Sequence, residues 1–78
     1  MEIKVLGMGC AKCRSLVAEA EKALAQSGRP GVVEKVEDMA MITAFGVMRT
    51  PALVVNGRVK CSGRVPTAKE IGPWLNEA

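Results

Sequence analysis

The spacing of apolar and polar residues divides the first half of the chain into strand, helix and strand. Residues Glu2 to Leu6 form a short run of strand-favouring residues that ends at a glycine, which predicts a first strand. From about Ala11 to Ser27 the apolar positions recur at helical spacing, and Gly28 with the Pro and Gly that follow it predicts the end of this helix. A second strand is predicted from Val32 to Glu37.

A short second helix is predicted to follow. Asp38 can cap its first turn, and Met39, Ile42 and Phe45 recur on one side of it. Gly46 is then expected to end the helix in the left-handed conformation that glycine adopts most readily. This segment therefore predicts a helix between the second and third strands.

The last third of the chain predicts a hairpin and a final helix. Residues 52 to 55 are a continuous apolar run, typical of a strand buried on both faces. Asn56-Gly57 is a strong hairpin signal, so residues 58 to 62 are expected to return antiparallel. Residues 67 to 70 read Thr-Ala-Lys-Glu, a capping box that opens a helix which Pro73 should distort. The predicted order is βαβαββα, an α/β fold with a four-stranded mixed sheet and three helices.

Length and composition limit the kind of protein this can be. With 78 residues, 49% of them apolar, the chain predicts one globular domain over residues 1–78. The net charge of +3 comes from scattered basic residues and only 3% are aromatic, so nucleic-acid binding is not expected. No apolar run approaches the roughly 18 residues of a membrane span, and no leader pattern is evident. We therefore expect a cytoplasmic monomer with no membrane partner.

The chemistry of the chain is concentrated in Gly-Met-Gly-Cys-Ala-Lys-Cys, residues 7 to 13. Cys10 is expected at the tip of the first helix, where free N–H groups and the helix dipole favour a thiolate with a pKa below about 8.5. Lys12 and Arg14 add positive charge in the same turn. Cys13 lies one turn further on, in the apolar stripe, and is expected to face the core. An exposed attacking thiol and a protected second thiol are what thiol–disulfide exchange requires.

Two other interpretations also fit these cysteines. The seven-residue stretch resembles the GMxCxxC loop of heavy-metal-associated domains, which bind copper(I), a soft ion that thiolates select. A binding module with a vestigial site is the third possibility. The rest of the chain argues against the metal-binding domain, because a helix-like segment precedes Pro51 and the chain ends in a capped helix, where that domain would need strands. Thr50-Pro51 enters a buried strand about forty residues after the two cysteines. A strand's first residue can lack an N–H, so an ordinary trans proline would also fit there.

The chain as a whole resembles the thioredoxin-like superfamily in its glutaredoxin-sized form, and in particular the small redox-active disulfide proteins of archaea and bacteria. The resemblance rests on the CxxC after the first strand, on residues 46 to 57 (GVMRTPALVVNG) and on residues 63 to 66 (GRVP). It implies a dithiol oxidoreductase with Cys10 as nucleophile and Cys13 as resolving thiol.

The same resemblance implies how a substrate would be held. Pro51 would be cis, Thr50 would offer its backbone to an extended substrate peptide, and Met48 and Gly63 would lie beside it. Lys12 would tune the nucleophile. It implies no metal and no cofactor beyond the redox-active disulfide, with disulfide-containing proteins as substrates and a reductase or a small thiol as electron donor. The residues between the two cysteines differ from those of thioredoxins proper, and only Gly63 remains of the glutaredoxin Gly-Gly pair, so glutathione use does not follow.

A third cysteine, Cys61, lies in the predicted fourth strand. Counting back from the hairpin turn pairs it with Ala52 and places it on the face of Val54 and Val59. The preferred interpretation is a buried small apolar residue, because most unpaired cysteines behave in this way. The alternative is a thiol that exchanges with Cys13 or completes a three-sulfur metal site.

Overall fold

A computed structural model describes residues 1–8 and 11–76, and these form an α/β fold in the predicted order. The elements are β1 (Glu2–Leu6), α1 (Ala11–Ser27), β2 (Val32–Val36), α2 (Met39–Ala44), β3 (Ala52–Val55), β4 (Arg58–Ser62) and α3 (Ala68–Asn76). The strand β2 ends one residue before the predicted Glu37. The other bounds of the strands and of α1 agree with the sequence-based expectation.

The four strands form one mixed sheet in the order β2-β1-β3-β4. The central strand β1 runs parallel to β2 and antiparallel to β3, and β3 pairs antiparallel with β4. Because β1 and β2 are parallel while β3 is antiparallel to them, the C-terminal ends of β1 and β2 and the N-terminal end of β3 lie at the same end of the sheet. The loop that carries the two cysteines and the loop that carries Thr50-Pro51 therefore meet at this end of the sheet.

Helices cover both faces of the sheet. The helices α1 and α3 pack on one face and bury the larger core, which contains Ile3, Val5, Leu16, Ala20, Ala23, Leu24, Leu53, Val55, Ala68, Ile71 and Leu75. The short helix α2 packs on the other face through a smaller core of Leu6, Val36, Ile42, Ala52 and Val54. The strand β3 contributes to both cores, which explains its continuous apolar sequence, and β1 places Ile3 and Val5 in the larger core and Leu6 in the smaller one.

The ends of α2 follow the sequence prediction. The Asp38 side chain accepts a hydrogen bond from the N–H of Ala40 at 2.8 Å, so Asp38 is the N-cap. At the other end Gly46 has a φ of +76° and donates its N–H to the carbonyl of Thr43. Glycine adopts this left-handed conformation without the steric cost that a side chain would add.

The N-terminus of α3 is held by two carboxylates. Thr67 and Glu70 exchange the reciprocal hydrogen bonds of a capping box, each from a backbone N–H to the other's side chain, at 3.2 and 3.3 Å. Glu19 of α1 accepts a further hydrogen bond from the N–H of Ala68 at 2.7 Å. This second contact ties α1 to α3 and was not predicted. The helix continues through Pro73 to Asn76.

The hairpin between β3 and β4 corrects one prediction. Its turn residues have positive φ as expected, and the pair Val54–Val59 is as predicted. Beyond that pair a β-bulge makes Lys60 an extra residue, so Cys61 lies opposite Leu53 and not opposite Ala52. The predicted pairing of Cys61 with Ala52 and its predicted place on the face of Val54 and Val59 were wrong, because counting from the turn assumes uninterrupted alternation. A one-residue shift moves a side chain to the other face.

Candidate active site

Cys13 lies in the first turn of α1, which begins at Ala11, and only 2% of it is exposed. It therefore faces inward as its place in the apolar stripe predicts. Lys12 precedes it in the same turn and is exposed. Cys10, the predicted nucleophile, lies outside the described residues, as does Gly9. The predicted position of Cys10 at the helix tip and its role stay predictions.

Gly7 brings the first helix and the proline loop together. It directly follows β1, it is buried, and its N–H donates to the carbonyl of Val36 at 3.0 Å. A Cβ at this position would overlap Cys13 Sγ and would lie 3.8 Å from Thr50 Cβ. Because Gly7 has no side chain, the Cys13 sulfur can occupy this space, beside Thr50.

Sequence reasoning treated Gly7 only as a strand boundary and missed this packing role. The available signal was a glycine placed directly after a buried strand and just before the two cysteines. That signal does not say what approaches the glycine, because the partner comes from the folded position of α1.

The Thr50–Pro51 loop forms the other side of the site. The peptide bond between these residues is cis. Thr50 is exposed, whereas Pro51 is fully buried at the start of β3. The carbonyl of Pro51 accepts a hydrogen bond from the N–H of Gly63 at 2.9 Å. The structure thus places Thr50, Pro51 and Gly63 together, and their role in holding a substrate stays a prediction.

The residues before Thr50 point to solvent or pack on the neighbouring turn. Met48 is 96% exposed, so its thioether is accessible. The stem of Arg49 packs on Gly63, since a Cβ at Gly63 would lie 3.3 to 3.4 Å from Arg49 Cδ and Cβ. Gly63 has a φ of +81°, which favours glycine as well. The sequence analysis did not identify Arg49, because nothing in its local sequence indicates contact with a turn fourteen residues later.

Arg64, which directly follows Gly63, forms an ion pair with Glu70. Arg64 Nη1 lies 2.9 Å from Glu70 Oε2. The hydrogen bond from the Thr67 N–H, and then the bond to Arg64, lower the pKa of Glu70 from its usual value. The carboxylate therefore stays ionised to lower pH than an ordinary glutamate, and it completes the α3 cap over that range.

Cys61 is partly buried and packs against the larger core, on the sheet face that α1 and α3 cover. Across the sheet Cys61 is opposite Leu53, which is opposite Val5, whereas Ala52 and Leu6 form the next pair, at the end of the sheet where the site lies. Cys61 is therefore on the same face as α1, which carries Cys13, but one row further into the sheet than predicted.

Metal sites, membrane-spanning helices and surface grooves are the other features of the described residues that bear on function. Residues 1–8 and 11–76 contain no group of three or more Cys, Asp or Glu side chains that could hold a metal ion. Within the same residues, no helix is both long and apolar enough to cross a membrane. Two surface grooves lie near the C-terminal end of α1, around Arg29, at the end of the molecule away from Cys13. Neither groove is lined by a predicted site residue.

Comparison with known proteins agrees with this geometry. Residues 1–76 match the family model of a thioredoxin domain. A thioredoxin of Methanothermobacter thermautotrophicus is 37% identical over 76 residues, which cover 97% of this chain and 99% of the relative. A thioredoxin of Methanocaldococcus jannaschii is 29% identical over 69 residues, which cover 88% of this chain and 79% of the relative.

Proposed function

This chain belongs to the thioredoxin family, and on that premise we propose that it reduces or exchanges protein disulfides through Cys10 and Cys13. The family relation supports a thiol–disulfide oxidoreductase role in general. The proposal adds the residues that carry the reaction and the class of substrate.

The reaction takes two exchange steps. The Cys10 thiolate attacks one sulfur of the substrate disulfide, forming a mixed disulfide and releasing the first substrate thiolate. The Cys13 thiolate then attacks the Cys10 sulfur, which forms the Cys10–Cys13 disulfide and releases the second substrate thiolate. The substrate gains two electrons and two protons, and the dithiol loses them. A reductase or a small thiol then restores the dithiol.

The observation that carries this proposal is the environment of Cys13. Its sulfur is buried against Gly7 and beside Thr50, at the end of the sheet where β1 ends and β3 begins. A buried thiol is poorly accessible to external disulfides but can react with a sulfur presented at the tip of its own helix. This is the behaviour required of a resolving thiol.

The remaining predicted residues surround that centre. Lys12 is exposed in the first turn of α1, where its charge would favour a thiolate at the helix tip. Thr50 is exposed beside Pro51, so its backbone would be accessible to an extended substrate. Met48 would add a flexible apolar contact, and Gly63 supports the loop through its hydrogen bond to Pro51.

Cysteine variants test the proposal in a disulfide-reduction assay. Cys10→Ser should abolish turnover, because no thiolate then attacks the substrate. Cys13→Ser should accumulate mixed disulfides at Cys10, which intact-mass spectrometry detects. In the wild-type protein at pH 7, alkylation should label Cys10 before Cys13. Cys61→Ser is the matched control and should retain turnover. Faster labelling of Cys13 than of Cys10 would contradict the assigned roles.

A competition assay distinguishes the metal-carrier interpretation. The reduced protein is loaded with copper(I) and then mixed with a strong copper(I) chelator. If redox exchange is the function, the chelator removes the ion, whereas a dedicated carrier would retain it.

A further inference from the structure

We propose that Arg49 makes this site select disulfide substrates with acidic side chains beside the reacting cysteine. The inference rests on the proposed function, since it names the class of substrate that the dithiol would reduce. Arg49 would contact the substrate without taking part in the exchange of sulfur bonds, so it is a specificity-determining residue.

The aliphatic part of the Arg49 side chain, its stem, packs on Gly63 and so holds the residue in place. The Cβ and Cδ atoms of Arg49 pack over Gly63, whose missing side chain lets them approach the backbone. The same Gly63 donates its N–H to the carbonyl of Pro51. The stem therefore lies on the turn that flanks the predicted substrate-binding loop, which limits the freedom of the side chain before a substrate arrives. A group that is already positioned loses less entropy on binding.

The charge of Arg49 is available to a ligand. Among residues 1–8 and 11–76, Arg49 takes part in no ion pair, whereas the neighbouring Arg64 is paired with Glu70 at 2.9 Å. Lys12 likewise forms no ion pair within the described part of the chain and lies in the first turn of α1. Two cations thus belong to the two segments that meet around Cys13 and Thr50.

Glu70 lies near the Gly63 turn but is engaged by Arg64, and the other acidic residues at this end of the sheet are on its far side. Glu37 and Asp38 follow β2, and β1 separates β2 from β3 in the sheet. Two strand spacings amount to about 10 Å, roughly one Debye length at 0.1 M salt. The Asp38 carboxylate also accepts the hydrogen bond of the α2 cap. These groups therefore leave the charge of Arg49 largely uncompensated.

The chemistry of the guanidinium indicates the ligand. A guanidinium donates two parallel hydrogen bonds to a carboxylate, which a lysine ammonium cannot do. Arg49 directly precedes Thr50, whose backbone is the proposed contact of an extended substrate. An acidic side chain next to the substrate cysteine would therefore come within reach of Arg49.

Three peptide disulfides test the inference. They are identical except that the residues flanking the cysteine are Glu, Gln or Lys, and kcat/KM is measured for each with wild-type protein, Arg49→Gln and Arg58→Gln. Arg58→Gln is the matched control, because it removes the same charge at the hairpin turn, at the other end of β4 from Gly63.

For wild type, kcat/KM should be about threefold to fivefold higher with the Glu peptide than with the Gln peptide, the range expected of an exposed ion pair. This ratio should fall towards one in 0.5 M salt and in Arg49→Gln, and it should persist in Arg58→Gln. An unchanged ratio in Arg49→Gln would overturn the inference. Equal rates of wild type on all three peptides would overturn it too and leave the proposed function standing. If wild type reduces none of them, the proposed function fails and the inference fails with it.

Discussion

Replacing Gly7 with alanine tests the packing at the centre of the site. The new Cβ would overlap Cys13 Sγ and lie 3.4 Å from Cys13 Cβ, while Thr50 would be at an ordinary contact distance. Cys13 is 2% exposed and cannot move outward without disturbing α1. Overpacking of a buried site costs about 1–3 kcal/mol, and the lower chain entropy of alanine in the unfolded state offsets about 0.4–1 kcal/mol.

We therefore expect Gly7→Ala to destabilise the reduced protein by about 1–2 kcal/mol, which corresponds to roughly 4–16 °C in melting temperature for a domain of this size. Urea titration measures the free energy of unfolding. Gly72→Ala is the matched control, since apart from its chain neighbours and the backbone of its own helix no described atom lies within 4 Å of the added Cβ in α3. That variant should change the free energy of unfolding by no more than about 1 kcal/mol, because the higher helix propensity of alanine is opposed by contact of its Cβ with the ring of Pro73 that follows.

A double-mutant cycle identifies the cause. If the overlap with the Cys13 sulfur produces the loss, Gly7→Ala should cost little in a Cys13→Ala background, because the sulfur is then absent. The single variant should also prolong the mixed disulfide during turnover, since a displaced Cys13 resolves it more slowly. Full stability of Gly7→Ala, or an equal cost in both backgrounds, would refute this account of the site.

Three further predictions concern the supports of the site. Glu19→Ala should lower the free energy of unfolding by about 1–2 kcal/mol in urea titration, because the N–H of Ala68 loses a charged acceptor; an unchanged midpoint would contradict this. The hydrogen bond from Thr67 lowers the pKa of Glu70 in the folded state, so its contribution to stability is present above about pH 4.5 and is lost as the pH falls through the lowered pKa. Glu70→Gln should reduce this acid sensitivity in thermal melts between pH 3 and 6, and an identical pH profile would argue against it. Cys61→Ala should keep disulfide reduction within about twofold of wild type, because a half-buried cysteine acts here as a small apolar residue, and a bridge to Cys61 in mildly oxidised protein would show otherwise.

The regular elements were predictable because their signals are local. The helical stripe of α1, the Asp38 cap, the Thr67–Glu70 capping box and the Asn56-Gly57 turn each lie within a few adjacent residues. The order and direction of these elements then determine which loops lie at the same end of the sheet. In the folded sheet the loop of the two cysteines and the loop of Pro51 consequently lie at the same end.

The features that escaped prediction depend on partners distant in sequence. The Glu19 carboxylate reaches Ala68 forty-nine residues later. The stem of Arg49 packs on Gly63, and the space at Gly7 is filled by the sulfur of Cys13. Each of these contacts forms only when separate elements pack, so no local pattern encodes it. The bulge at Lys60 is a related case, because strand alternation carries no mark of an extra residue.

The bulge in β4 also affects how the protein behaves towards other copies of itself. The strands β4 and β2 are the two edges of the sheet, and an exposed edge is a template on which a foreign strand can pair. The extra residue Lys60 interrupts the regular ladder on the β4 edge, so an incoming strand would find no continuous register there. The β2 edge is regular over its five residues but carries the exposed charges of Glu34 and Lys35. One edge is thus protected against aggregation by its shape and the other by its charge.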